Sequence, residues 1–115
     1  MRRGDIWYAD LEPARGSEAN KRRPVVIVSN DGANRRATDL KRGVVTVVPL
    51  TSAVAHVYPF QTLVPGDSTG LTRPSKAQAE QVRALDVSRL TEQAGRLDAT
   101  TLAQLDAALR LHLSL

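Results

Sequence analysis

Arg23-Pro24-Val25-Val26-Ile27-Val28-Ser29 is the stretch on which the fold turns. Its β-branched run is too short for a typical helix and shows no polar alternation, which predicts a strand buried on both faces and therefore central in a sheet. Pro24 disfavours a helical conformation at Arg23 and fixes where the strand begins. A second run, Val44-Val45-Thr46-Val47-Val48, predicts another strand, closed by Pro49 because proline cannot donate into a ladder. Outward from these, Ile6 to Leu11 follows Gly4-Asp5 and ends before Glu12-Pro13, as a first strand bounded by turn residues would. Arg15 to Arg23 reads as a polar loop, and Tyr58 to Val64 as a short strand before Pro65-Gly66. Asn30-Asp31-Gly32 is turn chemistry, opening a polar, basic loop to Arg42-Gly43 with room for one helical turn. Residues 76–85 are almost wholly good helix formers, so propensity favours a helix there. Asp98 can cap a carboxy-terminal helix in which Leu102, Leu105, Leu109 and Leu113 recur at gaps of three and four, one apolar stripe to lay on the sheet. No repeat, linker or low-complexity tract divides the chain. The expectation is one domain over residues 1–115, of α+β type and mainly β, built as a small, strongly curved barrel or sheet with a terminal helix.

Composition narrows the function. No long uncharged apolar run is present, so a membrane span is not expected. Met1-Arg2-Arg3-Gly4-Asp5-Ile6-Trp7 puts an acid and a tryptophan where a secretory signal needs continuous apolar residues, and the expected location is cytoplasmic. With no cysteine and two histidines, disulfides, thiolate nucleophiles and cysteine-ligated metals are excluded, and chemistry without metal or cofactor is expected. The net charge of +4 is uneven: residues 1–42 hold ten Lys/Arg and six Asp/Glu, the rest six of each. Thirteen of the sixteen cations are arginine, whose planar fork of donors matches phosphate oxygens, so a polyanion such as nucleic acid fits, against the plainer alternative of a solvated basic surface.

Gly4-Asp5-Ile6-Trp7, Gly16-Ser17-Glu18, Arg23-Pro24, Pro49-Leu50-Thr51-Ser52, Glu80-Gln81-Val82-Arg83 and Leu105-Asp106-Ala107-Ala108-Leu109 occur in this order. Each motif is weak alone. Together, across nearly the whole chain, they resemble the MazF/PemK ribonuclease toxins of type II toxin-antitoxin systems. The least familiar stretches are Asn30 to Arg42 and Thr69 to Ser75, candidates for setting sequence preference. The resemblance implies a PemK-like, SH3-like barrel with a terminal helix, a homodimer with grooves at its interface, single-stranded RNA as substrate and an acidic MazE-like antitoxin as partner. It also implies that the Glu80-Gln81-Val82-Arg83 segment is a strand, against helix propensity.

By that resemblance Arg23 and Thr51 are catalytic, and Ser17, Glu18, Lys21, Arg22, Ser52, Glu80 and Gln81 line the groove. The chemistry is consistent. RNA carries its own nucleophile in the 2′-hydroxyl beside each phosphate. Cleavage to a 2′,3′-cyclic phosphate and a 5′-hydroxyl needs that oxygen deprotonated, the leaving 5′-oxygen protonated and the charge on phosphorus stabilised. An arginine, with a pKa above about 12, is a poor base at neutral pH but a good charge stabiliser, so Arg23 takes that role and the base is left unassigned. A threonine hydroxyl at Thr51 can donate to a phosphoryl oxygen, with turn stabilisation as the alternative use, and Ser52 can add a second hydroxyl. His56, five residues after Thr51, is the rival base, whereas His112 falls beside the terminal helix's stripe. Trp7 and Tyr8 could stack on bases, but neighbours on a strand point to opposite faces, so at least one should pack. Two other functions compete: a non-catalytic toxin of the CcdB kind, similar in fold, that poisons DNA gyrase through protein contacts, and a small RNA-binding regulator.

Overall fold

The computed structural model describes residues 1–11 and 22–115. Seven strands are present among them: β1 (Asp5–Asp10), β2 (Arg22–Ile27), β3 (Val44–Thr51), β4 (Gln61–Val64), β5 (Ser75–Gln78), β6 (Arg83–Asp86) and β7 (Leu90–Arg96). Two α-helices accompany them, α1 (Asp31–Leu40) and α2 (Ala99–Leu113). The order β4-β5-β3-β2-β1-β7, with β6 also on β3, is antiparallel throughout. The mainly β, α+β class with a terminal helix matches expectation. Within this PemK-like architecture the sheet is not closed, since β4 and β7 end the strand path without pairing with each other.

β2 is the central strand its sequence predicts. Val26 packs with Ile6, Val48, Leu105 and Ala108 on the face that α2 covers. Val25 and Ile27 pack on the other face with Val45, Val47, Leu85 and Ala37 of α1. With both faces covered, the strand needs apolar side chains at every position, and alternation disappears. α2 starts where Asp98 accepts from the Thr101 N–H at 2.7 Å. Leu105 and Ala108 are buried, with Leu102 and Leu109 packed against them, but Leu113 is exposed along a groove it lines with Val28, Thr46 and Val82.

Four local expectations change. Asn30 to Gly43 is not a loop but carries the ten-residue helix α1. The Asn30 side chain accepts from the Ala33 N–H at 2.8 Å as an N-cap, and Asp31 supplies a first-turn acid that suits the helix dipole. Its buried Asn34 donates to the Ser29 carbonyl at 2.9 Å, and the Ser29 hydroxyl accepts from the Thr46 N–H at 3.0 Å, which ties the helix to β2 and β3. Pro49 does not end β3, which runs on to Thr51; β2 pairs with β3 up to Pro49 and β5 takes over from Leu50. The strand expected over Tyr58 to Val64 is confined to Gln61–Val64. Residues 76–85 form neither a helix nor one strand: β5 and β6 lie successively along one edge of β3, joined by a 3₁₀ turn at Ala79–Gln81 that shifts the register. β7 was not anticipated. It is a polar edge strand with a glycine, the pattern least distinguishable from a loop.

Candidate active site

The β2–β3 register decides which side chains meet. Val25 faces Pro49, so two further residues along the same register set Arg23 opposite Thr51, just past the last ladder pair. Two motifs distant in sequence thus converge at one end of the central strands. There, a pocket of about 350 Å³ is lined by Tyr8, Arg22, Arg23, Pro24, Leu50, Thr51, Ser52, Leu71, Thr72, Arg73 and Ser75. Four of the expected site residues, Arg22, Arg23, Thr51 and Ser52, are among them.

The cations differ in their freedom. The Arg22 guanidinium lies 4.5 Å from the centroid of the Tyr8 ring, reaches Thr91 Oγ1 at 3.3 Å and pairs with the Glu92 carboxylate, so its charge is oriented and partly offset. Arg23 is exposed and Arg73 is exposed, and neither has a carboxylate partner among the described residues. Thr51 is half-buried, and its Oγ1 accepts from the Ala53 N–H at 3.3 Å. That contact uses a lone pair and leaves the hydroxyl proton for an outside acceptor. Two guanidinium groups without a carboxylate partner among the described residues, with two hydroxyls beside them in one concave site, are suited to an anion with several oxygens.

Glu80 and Gln81 do not join this pocket. They sit in the 3₁₀ turn, where Glu80 Oε2 accepts from Gln61 Nε2 at 2.6 Å, Glu80 Oε1 is buried without a partner, and Gln81 is exposed. Ser17, Glu18 and Lys21 lie outside the described residues. His56, the rival base, is exposed and stacked on Tyr58 and is not among the residues lining the pocket. His112 is exposed in the last turn of α2. Tyr8 forms a pocket wall, whereas Trp7 packs against the core cluster on the opposite side of β1, with its Nε1 buried and unpartnered. Of the unfamiliar stretches, Thr69 to Ser75 reaches the pocket and α1 does not. The basic amino-terminal third does not act as a unit: Arg3 is tied to Asp106 at 2.7 Å and to the Val28 carbonyl at 2.9 Å.

The sequence marks Thr69 to Ser75 as a candidate for setting sequence preference without naming Leu71, Thr72, Arg73 or Ser75 individually as site residues. A signal was available, because Arg73-Pro74 repeats the Arg-Pro pair that marked Arg23. The segment carrying Arg73 is held by close backbone approach. A Cβ on Gly95 would stand 1.6 Å from the Thr69 carbonyl oxygen, and Gly70 has φ +90 beside Ala94. The Arg96 N–H donates to the same Thr69 oxygen at 3.0 Å. Among the described residues no helix is long and apolar enough to cross a membrane.

Residues 2–113 match the family model described as PemK-like, MazF-like toxin of type II toxin-antitoxin system. The chain is 61% identical over 115 residues to Endoribonuclease MazF9 of Mycobacterium tuberculosis, spanning all of this chain and 98% of that one. It is 32% identical over 116 residues to Endoribonuclease EndoA of Bacillus subtilis, spanning all of this chain and 96% of that one. Among solved structures, an endoribonuclease from Mycobacterial species in complex with its cognate antitoxin superposes with a TM-score of 0.79 at 26% identity, over all of this chain and 96% of that one. A MazE-MazF structure from Deinococcus radiodurans gives a TM-score of 0.80 at 27% identity, again over all of this chain and 96% of that one.

Proposed function

Because the chain belongs to the PemK-like, MazF-like toxins of type II toxin-antitoxin systems and is an endoribonuclease of that family, we propose that it cuts single-stranded RNA in the cytoplasm, without a metal, at the pocket shared by Arg23 and Thr51. The enzymatic reading thereby displaces a non-catalytic gyrase poison or a binding regulator. The observation that supports the site assignment is the convergence of Arg23, Thr51, Ser52 and Arg73 around one pocket.

In this mechanism the 2′-hydroxyl gives up its proton to water as its oxygen bonds to phosphorus, the bond from phosphorus to the 5′-oxygen breaks, that oxygen takes up a proton from water, and the products are a 2′,3′-cyclic phosphate and a 5′-hydroxyl. Arg23 and Arg73 face the phosphate and stabilise the charge that builds on its non-bridging oxygens, and Arg23 donates toward the leaving oxygen. The Thr51 and Ser52 hydroxyls donate to the same phosphoryl group. Arg22, held against Tyr8 and Glu92, binds an adjacent phosphate. Ser17, Glu18 and Lys21, outside the described residues, are assigned to RNA contacts, and exposed Gln81 contacts a base beyond the pocket. Glu80 is assigned to holding Gln61 instead.

The active species is a homodimer, and its inhibitor is an acidic antitoxin of the MazE kind whose flexible segment covers the arginine-lined groove. A surface that attracts phosphates also attracts carboxylates, so RNA and antitoxin compete, and salt weakens both. The deciding experiment incubates the purified protein with a long RNA in EDTA and sequences the new ends. Cleavage with 2′,3′-cyclic phosphate and 5′-hydroxyl termini is expected; loss of activity in EDTA or 5′-phosphate termini would sink the metal-free mechanism.

A further inference from the structure

The chain has one tryptophan, two tyrosines and one phenylalanine, and two of these four lie in the irregular segment between β3 and β4. His56, Tyr58 and Phe60 stack as a ladder: centroids are 5.7 Å apart for the first pair and 5.4 Å for the second, with interplanar angles of 15° and 3°. His56 is exposed, and Tyr58 is 49% exposed. Phe60 is half-buried and Tyr58 lies between the other two rings, so the stack runs outward to an exposed His56 end that forfeits burial and suits an external partner with a flat face.

Buried polar groups hold the ladder in place. Lys76 faces Thr51 across the β3–β5 register, which puts both side chains on one side of the sheet. Lys76 is only 7% exposed because this segment folds over it. Its Nζ donates to the His56 carbonyl at 2.5 Å and lies 5.7 Å from the centroid of the Tyr58 ring. The Gln61 side chain accepts from the Tyr58 N–H at 3.1 Å and donates to Glu80. The stack therefore stands on the same side of the sheet as the Thr51 hydroxyl, beginning four residues beyond Ser52.

We propose that the His56-Tyr58-Phe60 ladder is a stacking platform for an unpaired base of the RNA strand leaving the Arg23–Thr51 pocket. The inference rests on the RNA-cleaving reading of that pocket. Bases of any identity present a π-face, so the platform adds affinity and positions the strand more than it selects sequence. It also gives Lys76 and Glu80 a positioning role: they hold the ladder without touching the phosphate.

The test uses the full-length protein and a short RNA carrying the mapped cleavage site, with a deoxynucleotide removing the attacking hydroxyl. 2-Aminopurine is placed in turn at each position flanking the scissile phosphate. Wild-type protein should quench the probe at one or two neighbouring positions on one side of the cut. Tyr58→Ala should restore that fluorescence, weaken binding roughly tenfold or more and raise KM for the cleavable RNA with kcat little changed, whereas Tyr58→Phe should behave as wild type. Tyr58→Leu, which fills space without a ring, should resemble Tyr58→Ala and guards against a merely collapsed loop; circular dichroism checks that each variant is folded. Tyr58→Ala and Tyr58→Leu that bind, quench and cleave as wild type overturn the platform while the pocket assignment stands. The platform is equally overturned if they lose only self-association or antitoxin binding, because the ladder would then be a protein contact. A wild-type protein that neither binds nor cuts RNA overturns the underlying function and the platform together.

Discussion

Gly95→Ala tests how the pocket wall is built. The new methyl carbon would stand 1.6 Å from the Thr69 oxygen and 2.7 Å from its carbonyl carbon, both backbone atoms that no rotamer change can move. Close carbon–oxygen contacts settle at about 3.3 Å, so β7 and the 65–74 segment must separate by roughly 1.7 Å. The Arg96 N–H to Thr69 hydrogen bond of 3.0 Å cannot survive that shift. Its loss costs about 1 kcal/mol, overpacking adds about 2 kcal/mol, and the stiffer unfolded chain returns less than about 1 kcal/mol, for a net loss of about 2 kcal/mol. For a domain of this size the melting temperature should fall by roughly 8 °C. Leu71, Thr72 and Arg73 move with the segment, and a displacement of about 1 Å at a phosphate-binding side chain can cost about 100-fold in rate. Thermal melts by circular dichroism and single-turnover cleavage measure the two effects separately. Gly43→Ala is the control: its φ is +105 and nothing lies within 4 Å of the added carbon, so only backbone strain of about 1 kcal/mol is incurred and cleavage should be retained. If Gly95→Ala melted and cleaved like wild type, the close approach of Gly95 to Thr69 would not be what places Arg73.

Arg23→Ala and Thr51→Ala should each reduce kcat by about 100- to 1000-fold with little change in melting temperature, because neither side chain fills the core. Arg23→Lys should recover only part of that loss, since an ammonium lacks the planar fork; a crippling His56→Gln beside a nearly silent Arg23→Ala would reverse the assigned roles. Asn34→Ala removes the donor that satisfies the Ser29 carbonyl inside the α1 junction and should destabilise by about 2 kcal/mol, measured by urea titration, whereas a change of a few tenths would mean water replaces it. The pH dependence follows from Asp98 and Asp31, whose carboxyls are held below the ordinary 3.8 chiefly by the Thr101 and Arg3 backbone N–H groups respectively. A depressed folded pKa contributes stability that is present above the unfolded value of about 3.9 and is lost as pH falls through the folded one. Melting temperature should therefore drop on acidification below that value, and Asp98→Asn, which still caps but does not titrate, should weaken the drop.

What was legible from residues alone follows from how completely each element is determined locally. β2 and the first part of β3 are buried on both faces, so every position carries the signal, and α2 has both its cap at Asp98 and the Leu105 core contact. α1 escaped because its one buried polar residue and one buried alanine leave no apolar stripe, and because Asn30-Asp31-Gly32 suits a turn and a helix start equally. The information that favours the helix is tertiary: the buried Asn34 amide donates to the carbonyl of Ser29, two residues beyond β2. β7 likewise exists through its pairing with β1, which no local propensity in Thr91-Glu92-Gln93-Ala94-Gly95 announces.

The site divides along the same line. Arg23 and Thr51 are legible through the resemblance to the MazF/PemK toxins and not through strand signals, and the register of β2 and β3 sets the two residues opposite one another. Arg73 was hidden because its position depends on a segment with no regular structure, held by contacts between backbone atoms at Gly66, Gly70 and Gly95. Glycines at close approaches carry no side-chain signal, so a residue they position is invisible until the backbone is traced. The same reasoning separates Glu80 from Gln81: adjacent in one motif, they are parted by a 3₁₀ turn that turns the first toward Gln61 and leaves the second in solvent. That turn also lets β5 bring Lys76 across from Thr51, while β6 begins again on the same edge of β3. The register break that contradicts a continuous strand is thus the feature that sets both the floor under the aromatic ladder and the exposed glutamine beside it.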